Sequence, residues 1–125
     1  MRPVNWLVQQ TLKYTYFRRI IQVNRRFRLI HMVVIHGKRE LDDFLQPHRL
    51  KGMNVGFVPT MGALHAGHAS LLRQARTESK LVVLSIFVNP TQFNDSSDYS
   101  NYPSTIEPDL ELARSEGVDV VFLPD

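Results

Sequence analysis

The sequence predicts an α/β domain on a parallel, doubly wound sheet, and three observations predict it. Leu81-Val82-Val83-Leu84-Ser85-Ile86-Phe87-Val88 is apolar almost without a break, which suits a parallel strand covered on both faces. Val55-Gly56-Phe57-Val58 runs into a glycine-containing turn and then a helix-like stretch, the order at which parallel sheets hold phosphate. Strand-like and helix-like stretches alternate as β-α-β-α-β with short connections, giving right-handed crossovers and half of a doubly wound sheet.

Taken in order, Met32 to Ile35 forms a short strand or an extended entry. Lys38 to Leu45 places Leu41, Phe44 and Leu45 at helical spacing, and Pro47 is expected to stop that helix. Gly52 turns the chain into the strand Val55 to Val58. Ala69 to Ser79 is expected as a helix with Leu71, Leu72 and Ala75 as its buried stripe. After the Leu81 to Val88 strand, Asn94 to Pro103 reads as polar loop. Ser104 or Thr105 can cap the next helix, where Pro108 is still tolerated near the first turn and Ile106, Leu110 and Ala113 face inward. Gly117 ends it, and Val118 to Leu123 is the third strand of the repeating pattern. The sheet is expected to be incomplete at its carboxyl end, because Pro124-Asp125 follows directly on a strand.

With 125 residues, the chain is most simply one modest domain. It has no cysteine, which excludes disulfides and thiolate-held metals. Its longest apolar runs are too short to span a bilayer as helices. The net charge of +3 conceals an asymmetry: residues 1–31 carry seven basic residues and no acidic one, so the remainder sums to −4. A mildly acidic domain argues against nucleic-acid binding. Residues 1–31 are expected to be a basic extension, disordered or not native to the folded unit, with residues 32–125 forming the domain. A mitochondrial targeting peptide is a weaker alternative, since the segment lacks serine, and a surface-touching arm is another.

The chemistry concentrates in Pro59-Thr60-Met61-Gly62-Ala63-Leu64-His65-Ala66-Gly67-His68. Gly62 and Gly67 let backbone N–H groups approach a polyphosphate, and the following helix turns its positive end toward it. His65 and His68 can donate to phosphate oxygens as pyrophosphate leaves, while Met61 offers an apolar rest for a base or ribose. The plainer alternative is that both histidines only cap the helix. A P-loop is disfavoured because His68-Ala69 stands where Lys-Ser/Thr is needed, and no third ligand accompanies the two histidines to make a metal site. A second block, Ser85-Ile86-Phe87-Val88-Asn89-Pro90-Thr91-Gln92-Phe93, brings Asn89 and Gln92 to the same sheet edge. Their amides can orient a small polar acid, or merely satisfy the loop backbone. Tyr102 could line the same cleft or simply pack.

On these two blocks, extended by Tyr102-Pro103 with Thr105 and by Gly117-Val118-Asp119-Val120-Val121-Phe122, the chain from about Met32 to Asp125 closely resembles the pantoate–β-alanine ligase family. That family lies within the HxGH-bearing, Rossmann-like nucleotidyltransferase (HUP) superfamily. The resemblance implies an ATP-dependent ligation of pantoate and β-alanine through pantoyl adenylate, with Mg²⁺ accompanying the nucleotide. It implies that Met61, Gly62, Ala63, Leu64, His65, Ala66, Gly67 and His68 contact ATP, with His68 the proton donor and His65 supporting the phosphates. Gln92 would bind pantoate and meet β-alanine, and Asn89 and Tyr102 would line that pocket. It also implies a cytoplasmic homodimer in the complete protein.

The chain departs from the family at Ser104, where Arg commonly follows Tyr-Pro. Family members also continue well beyond the equivalent of Asp125, so the resemblance implies impaired or absent activity for this chain alone. Two other readings stand beside it: a different HxGH nucleotidyltransferase, which the Asn89 to Phe93 block speaks against, and an inert fragment that survives by binding a partner chain.

Overall fold

The computed structural model describes residues 31–124. The expected basic extension falls, apart from His31, outside the described residues. The elements run β1 (Val33–Ile35), α1 (Lys38–Leu50), β2 (Val55–Thr60), α2 (Ala66–Glu78), β3 (Leu81–Ile86), a 3₁₀ turn (Pro90–Gln92), α3 (Ser96–Ser100), α4 (Ile106–Ser115) and β4 (Val120–Phe122). The four strands are all parallel, in the order β1-β4-β3-β2. Met32 to Ile35 thus yields a true strand, and the fold is the parallel, Rossmann-like α/β sheet that the sequence predicts.

β3 is buried at all six positions because it has a strand on each side and helices on both faces. Val58, Leu72, Val82, Leu84, Ile86, Ala113, Val118 and Val121 form the core beneath α2 and α4. On the opposite face Ile35, Leu45, Leu81, Val83 and Val120 pack with Leu41 and Phe44 of α1. At roughly 1.5–3 kcal/mol for each fully buried Val, Leu or Ile, these two layers dominate the stability of the sheet.

Several boundaries differ from the sequence expectation. α1 continues through Pro47 to Leu50. The N–H that Pro47 lacks would have served the carbonyl of exposed Asp43, which water can reach, and His48 donates from Nδ1 to the Phe44 carbonyl at 2.8 Å. The added turn reaches solvent, with Leu50 82% exposed. β2 runs on to Thr60 through Pro59. The backbone of Thr60 faces β3, where its carbonyl accepts from Phe87 N at 3.0 Å, so Pro59 faces the open edge and forfeits no ladder bond.

β3 stops at Ile86, two residues before the expected Val88, and β4 covers only Val120–Phe122 and is the fourth strand. The Val118 amide goes to the carbonyl of Ala113, closing the helix rather than joining the ladder. α2 begins at Ala66, three residues early, because His65 caps it. Leu71 is 53% exposed and leaves the buried stripe to Ala69 and Leu72, with Ala75 partly buried beside them. Within the expected loop, Ser96–Ser100 forms the short helix α3.

Candidate functional site

β2 and β3 pair in parallel from Val55↔Leu81 to Thr60↔Ile86, so their carboxyl ends finish side by side. This brings the Met61 to His68 turn and the Asn89 to Gln92 segment to one edge of the sheet, where open α/β folds bind ligands. Pro59, Thr60, Met61, His68, Ser85, Phe87, Asn89 and Gln92 line a cleft of about 450 Å³ there.

The turn is tied down residue by residue. Thr60 Oγ1 donates to the Ser85 carbonyl at 2.8 Å and accepts from Gly62 N at 3.3 Å. Gly62 and Ala63 both have positive φ, 83° and 50°. A Cβ on Gly62 would lie 3.1 Å from Asp109 Oδ2 and 3.2 Å from Ile86, so only glycine fits both the backbone and the space. The amides of Ala63 and Leu64 donate to the Asp109 carboxylate at 2.9 and 2.7 Å. This changes the expected role of the first glycine: the Ala63 and Leu64 amides already serve a carboxylate of the chain itself and do not await a polyphosphate.

His65 and His68 form a reciprocal cap. His65 Nδ1 accepts from Gly67 N at 3.1 Å, and His68 Nδ1 accepts from His65 N at 3.2 Å. Gly67 permits this, since a Cβ there would come within 2.9 Å of the His65 ring. The histidines therefore do cap the helix, as the plainer reading held. The same bonds assign each neutral ring its proton at Nε2, leaving Nε2–H as the outward donor. The rings stand 4.2 Å apart, centroid to centroid. Burial and the neighbouring His65 hold His68 below its ordinary pKa of 6.5, against a smaller opposing pull from Asp109. His68 accordingly favours the neutral form near pH 7.

Across the cleft, Asn89 Oδ1 accepts from Thr91 N at 3.0 Å and Thr91 Oγ1 at 2.7 Å, so the loop uses its oxygen and its Nδ2 remains for a ligand. Gln92 is exposed at the end of the 3₁₀ turn and borders the same cleft. Tyr102 is not brought to this cleft. It packs edge-on to Phe93, with ring centroids 5.6 Å apart, and borders an adjoining cavity of about 290 Å³ with Met61, Tyr99 and Asp109. Among the described residues no group of three or more His, Asp or Glu is placed to hold a metal ion, and no helix is long and apolar enough to cross a membrane.

Asp109 is the residue that sequence reasoning missed. It lies on α4, 2% exposed, more than forty positions from the amides it binds. The only local signal is Thr105 four residues earlier, whose hydroxyl donates to Asp109 Oδ2 at 3.2 Å instead of accepting a backbone N–H as a cap.

A parallel sheet in the order β1-β4-β3-β2, with paired histidines capping the helix after its glycine turn, defines a Rossmann-like α/β protein with its candidate site at the strand ends. The sequence model of the pantoate-beta-alanine ligase family matches residues 33–125, and the chain belongs to that family. It is 53% identical over 87 residues to the pantothenate synthetase of Aquifex aeolicus, covering 70% of this chain and 31% of that protein. It is 54% identical over 97 residues to the Corynebacterium efficiens enzyme, covering 75% and 34%. A Francisella tularensis pantoate-beta-alanine ligase solved with beta-gamma ATP and beta-alanine superimposes with a TM-score of 0.70 at 43% identity, over 74% of this chain and 35% of that one. The Thermus thermophilus pantothenate synthetase gives 0.67 at 44% identity, over 75% and 32%. The chain thus spans about a third of the length of the relatives it matches.

Proposed function

We propose that this chain carries the adenylation half of a pantoate–β-alanine ligase site. The observation that carries the reading is that His68, Met61, Asn89 and Gln92, from two sequence blocks, border one cleft where β2 and β3 end. ATP lies along Met61 to His68, and the pantoate carboxylate sits toward Gln92 and Asn89.

The carboxylate oxygen attacks the α-phosphorus, the bond to the bridging oxygen breaks, and pyrophosphate departs. Charge growing on that leaving group meets Nε2–H of His65 and His68, which are fixed donors that need no reorganisation. The proton-donor role expected of His68 is that of a neutral hydrogen-bond donor, whose Nε2–H meets the leaving group and keeps its proton. The amine of β-alanine then attacks the acyl carbon of pantoyl adenylate, AMP leaves with the bonding electrons, and the proton lost from the nitrogen passes to water. Gln92 meets this second substrate as well as the first. Mg²⁺ enters as part of the nucleotide substrate and neutralises its phosphates.

The reading rests on family membership and on the site's chemistry. The ATP and beta-alanine of the Francisella complex belong to that protein and support it by relationship. Cytoplasmic location and homodimeric assembly of the complete protein are part of the same proposal. Pantoate-dependent ATP–pyrophosphate exchange by the purified chain tests it. Exchange that is weak, requires pantoate and is lost in His68→Ala is expected. Exchange with a phosphorylated acceptor in place of pantoate would instead favour another nucleotidyltransferase, and no exchange from a folded sample would show the chain to be inert alone.

A further inference from the structure

We propose that Asp109 is a positioning residue for the histidine pair: its carboxylate fills the anion nest of the Gly62–Leu64 turn and so fixes where the two imidazoles stand. The functional consequence rests on the adenylation reading above. The positioning itself rests on geometry.

The turn through Gly62 and Ala63 brings the neighbouring N–H groups of Ala63 and Leu64 onto one carboxylate, and turn concavities of this kind bind anions. Here the anion is internal. Oδ2 of Asp109 takes Ala63 N and Oδ1 takes Leu64 N, while Thr105 Oγ1 holds Oδ2 from its own helix. Ala63 is the one non-glycine residue at positive φ among the described residues, a conformation its side chain resists, so something must hold it. The next residue after Leu64 is His65, whose N–H is the donor that orients His68. The chain of constraint therefore runs from the buried carboxylate through two amides to the reciprocal cap. Asp109 borders the Tyr102 cavity and not the His68–Gln92 cleft, so it acts through the turn and not on a ligand there.

The test is Asp109→Asn in the full chain, with imidazole ¹⁵N shifts at pH 8 reporting the histidine tautomers and circular dichroism reporting the fold. Asparagine is nearly isosteric, yet its NH₂ group must face an amide N–H, so the nest opens. The unsubstituted chain should show both rings with the proton on Nε2. Asp109→Asn should mix the tautomers, because one of the two amides then meets an NH₂ group and the turn loses its anchor. A folded Asp109→Asn protein with unchanged tautomers would overturn the proposal. If Asp109→Asn does not fold, Thr105→Val loosens the same carboxylate and should give partial mixing; an unchanged pattern there would overturn it too.

Where the unsubstituted chain catalyses exchange, Asp109→Asn should lower kcat at least about tenfold and leave the KM for pantoate within about twofold. An equal rise in that KM would count against positioning. If the unsubstituted chain shows no exchange, the adenylation reading fails for this chain alone, while the tautomer measurement still decides the role of Asp109.

Discussion

The turn from Met61 to His68 and the loop from Asn89 to Tyr102 leave the ends of neighbouring strands, yet they are held in different ways. The turn is anchored from afar, by the Asp109 carboxylate and by Thr60 bound to the Ser85 carbonyl. The loop is held by bonds to itself: Asn89 to Thr91, Asp95 to Ser97, Ser100 to Ser96, and Phe93 between Tyr99 and Tyr102. Long-range anchors make local opening of the turn as costly as disturbing the core, whereas the loop can open while the sheet stays intact. Under the proposed adenylation, the phosphate side of the site is thus preorganised, and the acid side can adjust to its substrate.

That contrast can be broken by substitution. The largest effect is expected from His68→Ala, which should cut pantoate-dependent exchange by about a hundredfold or more by removing a fixed donor. Exchange rates within about tenfold of the unsubstituted chain would sink the catalytic assignment. Gly62→Ala should come next: a Cβ at positive φ, 3.1 Å from Asp109 Oδ2, is expected to cost about 1–3 kcal/mol in urea unfolding. Asn89→Ala removes only a local cap and should cost about 1 kcal/mol or less, while weakening pantoate binding. A loss for Asn89→Ala as large as that for Gly62→Ala would show that the loop is anchored to the core after all.

The smallest effect is a pH dependence. Because the folded state holds His68 below 6.5, the unfolded chain binds its proton more readily. The contribution is present above pH 6.5 and is lost as pH falls toward the folded value. Urea midpoints should fall between about pH 7.5 and 5.5, less so in His68→Gln, and equal slopes in both proteins would remove His68 as the cause.

How much of this is legible in the sequence depends on range. β3 is legible because burial on both faces leaves an apolar run, and the histidine turn because its residues are contiguous. Leu71 is misplaced in the buried stripe since Leu72 beside it is equally apolar, and only packing decides which one faces the sheet. Pro47 does not act as a stop, because its missing bond falls on the solvent side of α1. Asp109 is invisible, since its partners lie far away in the chain and an acidic residue in a first helical turn is ordinary. Tyr102 is assigned to a cleft it does not border because sequence proximity cannot show which side of Met61 a ring will take.

The position of β2 has a consequence for how the chain behaves in company. β2 lies at the end of the sheet order, with Phe57 58% exposed. The backbones of Val55, Phe57 and Pro59 face away from β3, so this flank presents two N–H donors and then a residue that has none. A visiting strand could zip along Val55 and Phe57 but would meet a missing rung at Pro59, beside the cleft. Proline thereby acts as a gatekeeper on this edge: pairing along β2 begins at its amino end and is checked before it reaches Met61. Light scattering that rises with concentration and falls in Phe57→Lys would be its signature, and no change in Phe57→Lys would place the sticky surface elsewhere.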